Sequence, residues 1–309
     1  MPDRLFDYEH WGTGVLSADT NMALEEYLLK RVAEQKSFAA MRFYSFARDT
    51  IVLGYAQAND AVKRLDAGVE LTRRITGGSH VQTGKNIVAY SFVVPRDGSF
   101  RHFEDMRAYY AERVANSLGN IGIESVTVDN KASTINVGGR IIASHAIFWG
   151  VNSALLHGLI HLTPYDVDRI AERVMLQQRQ IGSHTYSEYA ALKNLPTVAT
   201  ELNGRISGNR IKDHVLRQLV SDAISQEVTG GHFEKKQIDD NVMARSSELF
   251  QKRYGTPLWV NEHRPTFTPV EVEAIPGEEL DGPLRKNLGY CLFIQVPDSD
   301  FKEMSEPVE

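Results

Sequence analysis

The stretch Ile87–Pro95, reading Ile-Val-Ala-Tyr-Ser-Phe-Val-Val-Pro, constrains the fold more than any other part of the chain. Its apolar residues are nearly continuous, as in a β-strand buried on both faces, and a surface strand would alternate instead. Further strands are expected at residues 41–46, 50–55, 69–74 and 154–162. Residues 133–142 read as a hairpin turning on Gly138-Gly139, a pair compatible with a type I′ turn. Helical spacing recurs in Leu24, Tyr27, Leu28 and Val32, with Asp19 or Thr20 as cap, and in Met106, Tyr110, Val114 and Leu118. Further helices are expected near 167–175, near 209–227 (Ile211, Val215, Leu219 and Ala223 in register) and over 239–253. Residues 177–194 read as a polar stretch. Strands and helices do not alternate as in a doubly wound fold, so the expectation is α+β, a mixed β-sheet flanked by helices lying largely on one side. One main domain over 1–262 is expected, with residues 263–309 as a C-terminal extension holding one strand candidate at 290–296.

Charge and composition exclude several classes. A net charge of −6 lacks the basic excess of a nucleic-acid binder. The lone Cys291 forms no internal disulfide and does not suggest an oxidising compartment. Met1-Pro2-Asp3-Arg4 opens no basic-then-apolar leader, and no run reaches the roughly 18 apolar residues of a membrane helix. A soluble, cytoplasmic protein is expected.

The chemistry-bearing centre is Arg73-Arg74-Ile75-Thr76-Gly77-Gly78, followed by Ser79-His80-Val81. Paired glycines let backbone approach a ligand, and adjacent amides can point at an anion. Two arginines supply donors suited to a carboxylate or phosphate. A plain glycine hairpin with two solvated arginines would read the same way. The pattern is neither the dinucleotide fingerprint nor the phosphate loop with its terminal lysine.

Taken with Asn21-Met22-Ala23-Leu24-Glu25-Glu26 before it, Val52-Leu53-Gly54-Tyr55-Ala56-Gln57 between, and His157-Gly158-Leu159-Ile160 after, this centre resembles the lipoate-protein ligase and octanoyltransferase family. Asp166-Val167-Asp168 and the segment from Glu248-Leu249 to Tyr254-Gly255-Thr256-Pro257-Leu258-Trp259 extend the resemblance over about residues 15–262. It implies a biotin/lipoate-ligase-like catalytic domain. The activity implied is attachment of lipoate or octanoate to a carrier lysine, with ATP and Mg used to form an acyl-adenylate. Transfer between carriers, or a non-catalytic carrier-binding role, are the alternatives. The implied partners are a lipoyl domain or a glycine-cleavage-H-like carrier. The implied binding residues are Arg73, Arg74, Thr76, Gly77, Gly78, Ser79, Val81, Asn86, Gly54, Tyr55 and His157, with Arg74 facing the carboxylate or phosphate.

The chain departs from the family at the hairpin. The ligases' adenylate-holding lysine falls on Ile141, and the usual Asn-Asp is Ser133-Thr134. Arg140, His145 and Lys85 are the candidate replacement cations or catalytic groups, Arg140 first, with Lys131 behind them. Strand alternation turns Arg140 to the opposite face from Ile141 unless a bulge intervenes. The transferase branch uses a cysteine beside this hairpin, and Cys291 lies far from it. His157 and His161, four apart in a strand, are separated by about 13 Å, so no metal site is expected.

Overall fold

A computed structural model describes residues 5–57, 62–176, 178–181, 184–203 and 211–261. The expected extension and Cys291 lie outside them.

Among the described residues, thirteen strands and eight helices follow in this order: β1 Tyr8–Leu16, α1 Ala18–Gln35, β2 Ala39–Phe46, β3 Thr50–Leu53, β4 Glu70–Arg73, β5 Val81–Thr83, β6 Ile87–Pro95, α2 Phe103–Asn120, β7 Val126–Asp129, β8 Thr134–Val137, β9 Arg140–Trp149, β10 Ser153–His161, α3 Val167–Arg173, β11 Gln178–Ile181, β12 His184–Ser187, α4 Glu188–Lys193, α5 Val198–Asn203, α6 Asp213–Thr229, β13 Phe233–Lys236, α7 Asp240–Leu249 and α8 Pro257–Val260. A π-helical turn, Phe250–Tyr254, continues α7. The main sheet has the order β13-β1-β2-β6-β10-β9-β8-β7, and a second sheet has the order β4-β3-β5. Both sheets are mixed: β1 runs parallel to β13 and β2 while β2, β6, β10 and β9 are antiparallel, and β3 pairs β4 in parallel but β5 antiparallel.

The β6 run explains the layering. Val88, Tyr90, Phe92 and Val94 pack with Met106, Tyr110 and Val114 of α2 and Val220 and Ile224 of α6. The intervening Ala89 and Val93 face the other way, toward α1 and the small sheet. A strand apolar on both faces requires cover on both, so helices lie on both sides and not largely on one. The far side of the small sheet, at Ile51 and Leu53, is covered by Val167 and Ile170 of α3 and Leu192 of α4.

Three local readings change. Ser17 caps α1, its side chain accepting from Thr20 N, one turn-start before the expected cap. The buried stripe of α6 is Leu216, Val220, Ile224 and Val228, whereas Val215 and Leu219 are exposed. Two apolar rows one residue apart compete there, and the row that carries on to Val228 takes the core. The polar stretch contains a β11–β12 hairpin and α4. Gly138 and Gly139 have φ of 56° and 76°, both positive as a type I′ turn requires.

Candidate functional site

The glycine loop joins β4 to β5 and lies on the α1 side of the main sheet, where Val52 and Val81 pack with Met22, Tyr44 and Leu159. Its two arginines are buried, not solvated, and they bind protein. Arg74 donates from Nε to Thr76 Oγ1 (3.0 Å), from Nη1 to Val52 O (3.2 Å), and from Nη2 to Gly77 O (2.7 Å) and Ser79 O (2.8 Å). Burial lowers its pKa to about 10, which leaves it charged at neutral pH. Arg73 donates to the carbonyls of Gly54, Gln57, Trp259 and Val260 at 2.6–3.0 Å, while Trp259 Nε1 returns a bond to Arg73 O at 2.9 Å. The family-like C-terminal segment is therefore tied to the base of the loop.

Glycine is required where this loop meets β3. A Cβ on Gly54 would stand 1.8 Å from Gly78 O, and Gly78 has φ +94°. Tyr55 N donates to Thr76 O at 2.8 Å, and Gln57 bridges Gly54 N and His80 Nδ1. Ser79 contributes its carbonyl to Arg74, and Val81 lines the apolar side.

From the other side, β10 brings His157 against Thr76. Thr76 Oγ1 lies 2.6 Å from His157 Nε2, and His157 Nδ1 lies 2.7 Å from Glu25 Oε2. Tyr44 O–H donates to the second Glu25 oxygen at 2.7 Å. Burial, with Glu25 beside it, holds the Tyr44 phenol well above its usual range, so it remains a donor. Arg42 stacks over Tyr44 and donates to Asn21 Oδ1 at 2.5 Å. Glu25, Tyr44 and Arg42 received no role from the sequence. The available signal was two carboxylates, Glu25 and Glu26, within the apolar face of α1. Glu26 is also buried and accepts from Arg253 and Tyr254.

The hairpin wing is different. Arg42, Ser91, His157 and Ala146 form one cross-strand row, and Phe43, Tyr90, Gly158 and His145 form the next. Phe43 and Tyr90 belong to the α2/α6 core, so His145 faces away from the glycine loop. There burial, with Arg107 nearby, lowers it to about 3, and neither ring nitrogen has a partner among the described residues. A bulge is present but lies beyond Ile141, so it does not redirect Arg140: Ala143 opposes Ile135 and Ile141 opposes Asn136, leaving Ile142 extra. Ile142, Ile135 and Val137 all join the α2/α6 core, so Asn136 and Ile141 face the loop side. Arg140 stays at the turn, opposite Val137, exposed and donating to Asn194 O at 2.9 Å. Lys85 is exposed, with its carbonyl held by Arg217 of α6, and Lys131 is exposed in the turn before β8. Asn86 O accepts from Leu162 N and Thr163 N, tying β6 to the end of β10. Thus the structure brings Thr76, Gly77, Gly78, Ser79, Gly54, Tyr55 and His157 together, and it does not bring Arg140, His145 or Lys85 to them.

His80 and His161 are buried neutral groups near this face, lowered by burial to about 4 and about 3. Among the described residues no cluster of three or more His, Cys, Asp or Glu could hold a metal, and no helix is long and apolar enough to cross a membrane.

Residues 17–220 match the lipoyl protein ligase A/B catalytic domain. Octanoyltransferase LipM of Moorella thermoacetica is 39% identical, the match covering 80% of this chain and 95% of that protein. Lipoate–protein ligase 1 of Staphylococcus aureus is 23% identical over 80% of this chain and 71% of its own length. A solved bipartite lipoate protein ligase from Thermoplasma acidophilum, studied with its E2 lipoyl domain, shares the fold at a TM-score of 0.66 and 18% identity, over 83% of this chain and 96% of that one. With its glycine loop, His-Gly strand and closing Trp259 segment in the family's order, this chain belongs to the lipoyl protein ligase A/B catalytic domain family.

Proposed function

We propose that the chain transfers a lipoyl- or octanoyl-type acyl group, already activated on a donor carrier, to a lysine of a lipoyl-domain or glycine-cleavage-H-like acceptor. One observation carries this reading: the loop side of the hairpin presents apolar Ile141 where a ligase needs a cation, and the neighbouring arginines are committed to backbone carbonyls. A free carboxylate and a triphosphate brought together there would be desolvated without compensation. Among the described residues the charges do not fit ATP and Mg. An acyl thioester is neutral at its reacting end and asks for amide donors alone. The lysine amine attacks the acyl carbonyl, the C–S bond breaks, and the thiol departs with the proton. The sequence identity to an octanoyltransferase supports the same choice. The proposal places the reaction in the cytoplasm, the compartment expected of a single-cysteine chain.

The ATP-dependent ligase remains the second reading, favoured by the intact Arg73–Gly78 loop. Intact mass of a lipoyl-domain acceptor separates the two. The expected result is an acyl adduct from an octanoyl-carrier thioester, with no adduct and no pyrophosphate from ATP and free lipoate. Lipoylation from the free acid and ATP would overturn it.

A further inference from the structure

The loop's carbonyls, not its arginines, reveal how the site is set. We propose that Glu25, His157 and Thr76 are positioning residues that pre-orient the amides of Gly77, Gly78 and His80 to receive the acyl carbonyl oxygen. This rests on the acyl-transfer reading. A trans peptide is planar, with its N–H directed opposite to its C=O. The Gly77 and Ser79 carbonyls both turn inward to Arg74 Nη2, so the N–H groups of Gly78 and His80 turn away from the guanidinium. The Thr76 carbonyl turns to Tyr55 N, so the Gly77 N–H turns away from β3. These three amides, each directed away from its anchor, are the donors the proposal assigns to a carbonyl oxygen gaining negative charge.

The side-chain relay holds Arg74 and Thr76 in that arrangement. Arg74 Nε donates to Thr76 Oγ1, which leaves the hydroxyl proton to point at His157 Nε2. The ring proton then sits on Nδ1 and points at Glu25 Oε2, while Tyr44 donates to Oε1. Every donor meets one acceptor, and the chain crosses from the loop through β10 and α1 to β2. Breaking it leaves a buried hydroxyl or imidazole without its partner, and the loop must rotate to find another. Because Gly54 and Gly78 are already in backbone contact, the loop has no room to relax by sinking.

The same hydroxyl–imidazole–carboxylate order occurs in nucleophilic triads. Here Thr76 is only 1% exposed and its oxygen already accepts from Arg74 Nε, so a carbonyl carbon has no approach to it.

The test uses the full chain, an octanoyl-carrier thioester and a lipoyl domain, with Glu25→Gln, Thr76→Val and Thr76→Ser. Glu25→Gln and Thr76→Val are expected to lower kcat about 10- to 100-fold with KM within about threefold, because the lost donors act on the developing oxyanion. Thr76→Ser, which keeps the hydroxyl, stays within about threefold of wild type. Nitrogen-15 shifts of the His157 ring in the wild type should report the proton on Nδ1, and Glu25→Gln should move them. Wild-type kcat in both Glu25→Gln and Thr76→Val, an octanoyl adduct on Thr76, or a ring proton on Nε2 would each overturn the proposal. If Thr76→Val does not fold, the isosteric Glu25→Gln carries the test. If the wild type transfers no acyl group from a thioester, the transfer reading fails, and the nitrogen shifts still decide whether the relay exists.

Discussion

The two wings of the loop-side face were built to different standards. On the glycine-loop wing, Arg73, Arg74, Thr76, His157, Glu25 and Tyr44 make short bonds to one another and to backbone. On the hairpin wing, Ile141 is apolar, and Asn136 Oδ1 is buried without a hydrogen-bond partner among the described residues. Unpartnered buried polar atoms cost stability, whereas a saturated network fixes geometry. On the proposed reading, the first wing would orient an acyl carbonyl, and the second presents Ile141 where an anionic adenylate would need a cation.

The sharpest way to break this comparison is to remove one arginine from each wing. Arg74→Ala deletes four hydrogen bonds and strands the Gly77 and Ser79 carbonyls. Stability should fall by about 3 kcal/mol or more, and acyl transfer by over about 100-fold. Arg140→Ala removes an exposed bond to Asn194 O and should leave both within about twofold and 0.5 kcal/mol of wild type. Urea midpoints and the transfer assay measure both, and similar losses in the two variants would erase the distinction between the wings.

Next in size is an attempt to rebuild the weaker wing. Ile141→Lys places an ammonium on the loop side, opposite Asn136. The substitution should raise pyrophosphate release with ATP and lipoate above the wild-type level, at a stability cost of about 1–3 kcal/mol for the buried amine. A variant that folds yet releases no pyrophosphate would mean that the hairpin lacks more than one charge.

Much of this division was legible in the chain, and the illegible part has a physical reason. The β6 run and the α2 stripe announced themselves because burial imposes a local period, and Ile141 stood out against the family pattern within a single hairpin. Alternation allows a bulge near Arg140, but its position at Ile142 is not readable from the hairpin, since that depends on which residues the partner strand commits to the core. Glu25 meets His157 across 132 residues of chain, and no local spacing encodes that contact. The arginine pair misled for a related reason. Donors suited to a ligand are equally suited to loop carbonyls, and only the tertiary fold decides which they meet.

Acid should discriminate the wings more gently. His80 at about 4 and His161 at about 3 lie near the loop, and His145 at about 3 belongs to the hairpin. All three are depressed from 6.5 by burial, so the unfolded chain binds more protons below that value. Their contribution is complete above about pH 6.5 and drains as pH falls toward 3, at about 1.4 kcal/mol per unit for each histidine. His145→Leu should make the decline shallower, measured as urea midpoints at pH 7.5 and 5. Parallel slopes in the two proteins would show that His145 gains a proton partner on the α2 side.

The smallest effect runs in the opposite direction and sits at the root of the intact wing. Asp19, in the first turn of α1, is raised by burial to about 6; the neighbouring Thr72 hydroxyl opposes the shift and nearby Glu70 adds to it. Thr72 lies in β4, which runs directly into Arg73 and the glycine loop. A carboxyl raised in the folded state binds a proton there that the unfolded chain has already released. Between about pH 4 and 6 stability therefore falls as pH rises, against the slope of the histidines. Asp19→Asn removes this opposing term, so the histidine-driven rise in stability between about pH 4 and 6 should steepen. At pH 7 the gain of about 1–2 kcal/mol from relieving the buried charge is partly offset by losing an acid at a helix N-terminus, worth about 0.3–1 kcal/mol, so the net change stays near or below about 1 kcal/mol. The discriminating quantity is the difference between variant and wild type at pH 4.5 and at pH 7. A difference that does not grow with pH would mean that Asp19 stays ionised throughout.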